Sequence, residues 1–389
     1  MASETKGEGL DGVVAVVTAL SEVDGAAGRL NIAGRDVEGW AARASFEDAC
    51  ALLWSAVDGQ SRSSAEVQKN LGALRAKAFA SLPDLGRALS AADGMDALRA
   101  AVGHLQIGDL SAGGAPFASA APASSYVTAA TAVFAAAWNR VRLGKAPIAP
   151  DPSLGHAEDY LRMITGAPVS AAHARAISTY LITVSDHGMN ASTFAARVVA
   201  STQSDMISAI VAAIGALKGP LHGGAPGPVL DMLDAAFASR KGTEGAELGD
   251  NSLVASASRW IASELEAGRR IMGMGHRIYR VRDPRAEVLE KATLALIDAG
   301  VRTERLALAR AVERAAKSAL AAKYPDRKLE ANVEFYTAVL LDAVGLPREA
   351  FTPTFAVGRV IGWSAHVMEQ HAKGRLIRPE SRYIGPPAT

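Results

Sequence analysis

Cysteine, net charge, strand-like alternation and long apolar runs are all scarce in this 389-residue chain, and each scarcity removes a class of function. The single cysteine, Cys50, cannot form an intrachain disulfide. In the run Ala49-Cys50-Ala51-Leu52-Leu53-Trp54 it reads as a small buried hydrophobe, which fits a reducing compartment. Lysine and arginine number 41 against 40 acidic residues, a formal charge of +1, so no global field attracts nucleic acid, a membrane surface or a polyanion. Any anion recognition must be local. The Ala-rich stretch Val127–Trp138 is too short to span a bilayer and ends in Asn139-Arg140, so it reads as a buried helix. Residues Met1–Leu10 are polar and acidic, unlike a secretory signal or an Arg-rich transit peptide, and a cytoplasmic location is expected.

Several chemical signatures are missing too. No H-E-x-x-H is present, and His366 and His371, five apart, fall on different helix faces, so no metal site is expected. Neither a G-x-S-x-G elbow nor the strands to carry one occur, which argues against a Ser-His-Asp hydrolase. A P-loop lysine and a G-x-G-x-x-G after a strand are likewise missing, leaving triphosphate and dinucleotide use unsupported.

What is present is apolar sequence, 49% of the chain, patterned for helices and long enough for about two or three domains' worth of core. Val13–Leu20 and Leu30–Ile32 around Asp24-Gly25 predict a small hairpin or ordered arm. Phe46–Val57, Ala65–Ala80, Asp84–Ala101, Tyr126–Arg142, His156–Thr165 and Ala171–Val184 repeat apolar residues at three- and four-residue spacing. The same holds for Ala191–Ser201, Met206–Leu217, Pro228–Ala238, Ser252–Ala267, Thr303–Lys323, Asn332–Val344 and Thr354–Gln370. Ser111–Ser125, rich in Ala, Gly, Ser and Pro, reads as a loop. Asp283-Pro284-Arg285 opens a helix, with aspartate as N-cap and proline at the first position. The expected fold class is all-α with a small N-terminal β element.

Polar interruptions of this helical sequence hold the candidate chemistry. In Gly219-Pro220-Leu221-His222-Gly223-Gly224-Ala225, glycine and proline build a tight turn, and a nearby helix start would keep the imidazole neutral and able to donate a hydrogen bond. The plain alternative is a loop that merely contains a histidine. His187 in Ser185-Asp186-His187-Gly188 and His276 in Gly275-His276-Arg277 sit in similar interruptions. Glu334 heads an apolar helix, where it either does chemistry or stabilises the helix dipole. Arg359, inside the apolar run Phe355–Trp363, must find a partner carboxylate or bind an anion.

Four of these segments, in this order, resemble the citrate synthase family. They are Asp186-His187-Gly188-Met189-Asn190-Ala191-Ser192-Thr193-Phe194, Gly219-Pro220-Leu221-His222-Gly223-Gly224, Gly275-His276-Arg277-Ile278-Tyr279-Arg280 leading to Asp283-Pro284-Arg285, and Asn332-Val333-Glu334-Phe335-Tyr336. Phe355–Trp363 and Arg378-Pro379 continue the likeness, which runs from the N-terminal arm to the C-terminus and is loosest around Ser111–Ser125. The length is similar to that of the compact dimeric bacterial members. The resemblance implies a two-domain helical subunit, with residues 1–219 and 335–389 forming a large domain and residues 220–334 a small one, in a homodimer. It implies condensation of an acyl-CoA thioester with oxaloacetate and hydrolysis of the resulting thioester, without a metal or redox cofactor.

By matching position, His222 is the donor to the thioester oxygen, Glu334 the base and His276 the acid toward the ketone. His187, Arg285 and Arg359 resemble the residues that hold the oxaloacetate carboxylates, and Arg378 one supplied by the neighbouring subunit. Arg280 and Asn332 match positions near CoA, with Lys323, Arg327 and Lys328 as looser phosphate candidates. Two departures stand out. Asn31-Ile32-Ala33-Gly34 replaces the family's more usual Tyr-Arg-Gly, and glutamate occupies the base position where the family usually has aspartate. Three readings stay open: citrate synthase; 2-methylcitrate synthase using propionyl-CoA, because motifs shared by the two do not discriminate one extra substrate methylene; and, because glutamate lengthens the base, a catalytically silent CoA- or dicarboxylate-binding homologue.

Overall fold

A computed structural model of the chain describes residues 10, 12–105, 120–224, 226–238 and 250–387. Three short antiparallel strands come first: β1 Ser21–Asp24, β2 Arg29–Ile32 and β3 Arg35–Asp36, with Ser21 opposite Ile32 and Asn31 opposite Asp36. The hairpin is therefore shorter than its apolar flanks; Val13, Val14 and Val17 are exposed and unpaired in a sheet. Fifteen α-helices follow among the described residues. The first eight are α1 Val37–Trp40, α2 Phe46–Asp58, α3 Ser64–Ala80, α4 Gly94–Gly103, α5 Ala120–Arg142, α6 His156–Thr165, α7 Ala171–Thr183 and α8 Ala191–Ser201. The rest are α9 Met206–Leu217, α10 Pro226–Ala238, α11 Asp250–Glu266, α12 Pro284–Asp298, α13 Arg305–Lys323, α14 Val333–Ala343 and α15 Phe351–Lys373.

Local chemistry accounts for many helix starts. Ser45 with Asp48 and Ser63 with Glu66 form reciprocal capping boxes at α2 and α3, and Asp283 caps α12 ahead of Pro284. Two expectations need correcting. The single helix expected over Asp84–Ala101 is broken into 3-10 turns at Leu82–Leu85 and Ala88–Ser90 and then α4, because Gly86 turns left-handed and Asp93 starts a new helix by accepting from the N–H groups of Met95 and Asp96. The loop expected over Ser111–Ser125 ends early, since α5 begins at Ala120; residues 111–119, like residues 1–9 and Ala225, lie outside the described part.

Helix α15 organises the core. It is buried from Phe351 to Gln370 except for Thr352, and it packs against α2, α4, α5, α7, α8 and α9. A helix buried all round needs apolar residues on every face, and each polar side chain within it must find a partner. Arg359, Trp363 and His366 are such residues. Around them, α8 packs on α9, α12 on α7 and α14, and α11 pairs with α13. Among the described residues no helix is long and apolar enough to cross a membrane.

Candidate active site

The turn that carries His222 folds back on the end of α9. Gly223 N–H donates to the carbonyl of Leu217 at 3.0 Å and His222 N–H to that of Gly219 at 2.9 Å, while Thr352 Oγ1 donates to the carbonyl of Gly223. The turn is anchored on the C-terminus of α9, whose dipole would favour protonation, and stands just ahead of the start of α10 at Pro226, whose dipole opposes it. Burial, then the charges of Arg359 and Arg285, lower the His222 pKa to about 4. Its Nε2 lies 2.8 Å from Ser192 Oγ, in the first turn of α8. That hydroxyl also accepts from Trp363 Nε1 at 3.0 Å and donates its proton to Asn190 Oδ1 at 2.7 Å.

His276 occupies a loop braced from two sides. Gly275, at φ +88°, reaches a backbone region that favours glycine; its N–H donates to the carbonyl of Glu330, and Met274 pairs with Ala331 in an isolated antiparallel bridge. On the other side the β1–β2 turn docks, with Arg280 N–H donating to the carbonyl of Gly25 at 2.8 Å. His276 Nδ1 accepts from the N–H groups of Ile278 at 3.0 Å and Tyr279 at 3.2 Å. The neutral ring must therefore carry its proton on Nε2, and the 3.5 Å approach of Arg285 Nη2 to that atom sets two donors face to face and forms no bond. Burial, followed by the Arg285 charge, lowers the His276 pKa to about 4.

Glu334 is placed by the same bridge. Asn332 caps α14, its Oδ1 accepting from Glu334 N–H at 3.0 Å while its Nδ2 donates to the carbonyl of Gly275 at 2.9 Å. One amide thus ties the His276 loop to the glutamate. The Glu334 side chain is buried, and Oε2 has no hydrogen-bond partner. Burial raises its pKa to about 7 against the opposing charges of Arg285 and Arg359.

The two arginines complete the cluster. Asp283 accepts Arg285 Nε at 3.0 Å and Nη2 at 2.8 Å, and also caps α14 by accepting Val333 N–H at 3.1 Å. Arg359 donates Nε to the carbonyl of Val184, and its Nη1 is buried without a partner. Burial lowers its pKa to about 10, which leaves it charged at neutral pH. His187 is buried beside them, its Nε2 3.1 Å from Tyr279 Oη and its ring edge-on to that of His276 at 5.6 Å between centroids. Burial, then the charges of Arg285 and Arg359, keeps its pKa well below the usual histidine range. Three neutral imidazoles, a carboxyl poised near neutrality and two guanidinium groups therefore share one region. Such a set can remove a carbon-bound proton, donate to two oxygens and hold carboxylates.

The remaining sequence candidates lie elsewhere. Arg280, Arg327 and Lys328 are exposed, and Lys323 donates to the carbonyl of Leu265. Arg378 is exposed on the C-terminal tail and lines a cavity of about 710 Å³ between that tail and residues 10–19. Among the described residues no group of three or more His, Cys, Asp or Glu side chains is arranged to hold a metal ion. Ser192, Asp283 as a bidentate partner, and Tyr279 were not singled out from sequence as site residues, although all three stand inside the quoted motifs.

Comparison with known proteins bears on the same region. Residues 9–380 match the family model described as citrate synthase, C-terminal domain. A citrate synthase of Haloferax volcanii is 35% identical over 99% of this chain and 97% of its own length. A putative citrate synthase 2 of Mycobacterium tuberculosis is 36% identical over 97% of this chain and 92% of its own. The chain belongs to the citrate synthase family. Its fold is likewise that of solved citrate synthases. The Pyrobaculum aerophilum enzyme aligns with a TM-score of 0.80 at 31% identity, covering 98% of this chain and 93% of its own. The Thermoplasma acidophilum enzyme, solved as a ternary complex with carboxymethyl coenzyme A and oxaloacetate, aligns at 0.82 with 27% identity, covering 100% and 98%. As a member of this family the chain is an acyl-transferring enzyme of citrate synthase type.

Proposed function

We propose that the protein condenses acetyl-CoA with oxaloacetate and water to give citrate and CoA. The observation that carries this reading is the buried carboxyl of Glu334, its Oε2 without a hydrogen-bond partner and its pKa about 7, among three neutral imidazoles. A base acting on a weakly acidic thioester α-proton works best with a pKa near the operating pH.

In this account Glu334 takes the α-proton of acetyl-CoA. When the Ser192 hydroxyl turns its hydrogen bond from Asn190 Oδ1 to His222 Nε2, keeping its proton, the imidazole carries its own proton on Nδ1 and donates it to the thioester oxygen as charge develops there. The enol carbon attacks the ketone carbon of oxaloacetate, and His276 passes its Nε2 proton to the oxygen that becomes the tertiary hydroxyl. Water then cleaves the thioester and CoA leaves as the thiol. His187, Arg285 and Arg359 hold the oxaloacetate carboxylates, and the free Nη1 of Arg359 supports that role. No metal or redox group enters any step.

CoA lies along residues 220–334, taken as a small domain closing on the rest, with Arg280, Arg327, Lys328 and Asn332 on its side of the cleft. Because the Asn332 side chain already bridges Gly275 and Glu334, its contribution is to hold the base in register. The protein acts as a homodimer in which Arg378 reaches the partner's site; the exposed apolar residues Val14 and Val17 near one end of the chain and Tyr383 and Ile384 near the other support a partner surface there. The test is release of free CoA thiol from acetyl-CoA. Release that depends on oxaloacetate supports the proposal, and no release in its presence rejects it.

A further inference from the structure

One buried polar network beside the site has no part in the steps above. Arg197 of α8 donates Nη1 to His366 Nδ1 at 2.8 Å and to Glu369 Oε2 at 2.6 Å, and Nε to Gln370 Oε1 at 3.0 Å. A guanidinium has only hydrogens to offer, so His366 must present a lone pair at Nδ1 and carry its proton on Nε2. That Nε2 lies 3.2 and 3.3 Å from the two oxygens of Asp186. Arg197, His366 and Asp186 are essentially sealed from solvent. The network also receives both ends of the chain, since Ala19 N–H donates to Glu369 Oε1 and Gln370 Nε2 to the carbonyl of Arg375.

Asp186 directly precedes His187, and its charge acts on Arg359, the guanidinium with the unpartnered Nη1. Helix α15 comes close here: a Cβ on Gly362 would stand 3.1 Å from Asp186 Oδ1, so little slack remains around the carboxylate. Buried ion pairs add little stability compared with well-packed apolar residues, so their presence at this place calls for another reason.

We propose that Arg197 and His366 are positioning residues for the dicarboxylate: their relay fixes the Asp186 carboxylate, which in turn holds Arg359 and the His187 turn in the orientation that receives substrate. This rests on the reading that His187, Arg285 and Arg359 bind oxaloacetate. Neither Arg197 nor His366 touches the substrate itself.

The test is calorimetric titration of oxaloacetate into the full-length enzyme, which needs no turnover, together with the KM for acetyl-CoA. In folded His366→Met the oxaloacetate Kd rises about tenfold or more while the acetyl-CoA KM stays within about twofold, because a buried carboxylate loses a donor on the dicarboxylate side only. His366→Gln, whose amide nitrogen can still donate to Asp186, recovers most of the affinity. Should His366→Met fail to fold, Asp186→Asn keeps the shape and the acceptor but removes the charge, and its oxaloacetate Kd rises by a similar factor. An unchanged oxaloacetate Kd in the folded variant, or equal losses in His366→Met and His366→Gln, overturns the proposal. A wild type that binds oxaloacetate without releasing CoA thiol would reject the condensation and leave this inference standing; a wild type that does not bind oxaloacetate overturns both.

Discussion

Ser192 Oγ stands 2.8 Å from His222 Nε2, and it holds this imidazole against the start of α8. Trp363 Nε1 fixes the hydroxyl from behind. Replacing Ser192 with alanine frees the ring to turn and removes control of its tautomer. Turnover in Ser192→Ala is expected to fall on the order of ten- to a hundredfold, with oxaloacetate binding little changed. Steady-state kinetics with a parallel titration of oxaloacetate checks this, and unchanged turnover contradicts it.

The base must be ionised to act. With a Glu334 pKa of about 7, and His222 and His276 at about 4 and so neutral throughout, the acid limb of turnover is expected near pH 7, with a plateau above it. A pH–rate profile limited by chemistry reads it directly. A limb near the ordinary glutamate value would mean that burial does not set the base.

Stability carries an opposite pair of signatures. Burial holds the native pKa values of His156, His187, His222 and His276 below the ordinary histidine value of about 6.5, so below that pH the unfolded chain binds more protons than the native one. Stability is therefore lost as pH falls below about 6.5, and thermal unfolding followed by circular dichroism should show the melting temperature dropping there. Glu334 works the other way. Its raised pKa costs stability as pH climbs from 4.5 toward about 7, so Glu334→Gln is expected to be more stable than wild type at pH 8 by up to a few kcal/mol.

Much of this architecture is legible in the sequence because helix signals are local. The spacing of His156–Thr165, Ala191–Ser201 and Met206–Leu217 and the Asp283-Pro284 start translate directly into α6, α8, α9 and α12. The site's chemistry is legible through short ordered motifs. What escapes is pairing at distance: Ser192 meets His222 across 30 positions and Trp363 across 171, and Asp186 meets His366 across 180. No periodicity encodes such contacts. The break within Asp84–Ala101 is missed for a related reason, since the left-handed turn at Gly86 and the cap at Asp93 override a continuous apolar pattern.

The N-terminal hairpin has a role its length does not suggest, for it touches two of the three histidine segments of the site, those of His187 and His276. Ser21 Oγ accepts Gly188 N–H at 2.9 Å, and the Gly25–Gly28 turn lies against the His276 loop. A Cβ on Gly25 would collide with the Ile278 carbonyl and lie 2.7 Å from its Cγ2. Gly25→Ala is expected to push that loop aside and lower kcat/KM on the order of a hundredfold, while the melting temperature falls only modestly because the hairpin is peripheral to the core. Kinetics and thermal unfolding of the one variant decide it, and wild-type kcat/KM would show that the contact is incidental.

Glu334 must serve as the base despite its extra methylene for this chemistry to proceed. The direct measurement is oxaloacetate-dependent release of CoA thiol from acetyl-CoA at pH 8 by wild type, Glu334→Gln and Glu334→Asp. Wild type is expected to be active, the glutamine variant slower by about a hundredfold or more, and the shorter aspartate variant impaired because its carboxylate falls about 1 Å short of the carbon it serves. Wild-type turnover in folded Glu334→Gln would contradict the assignment.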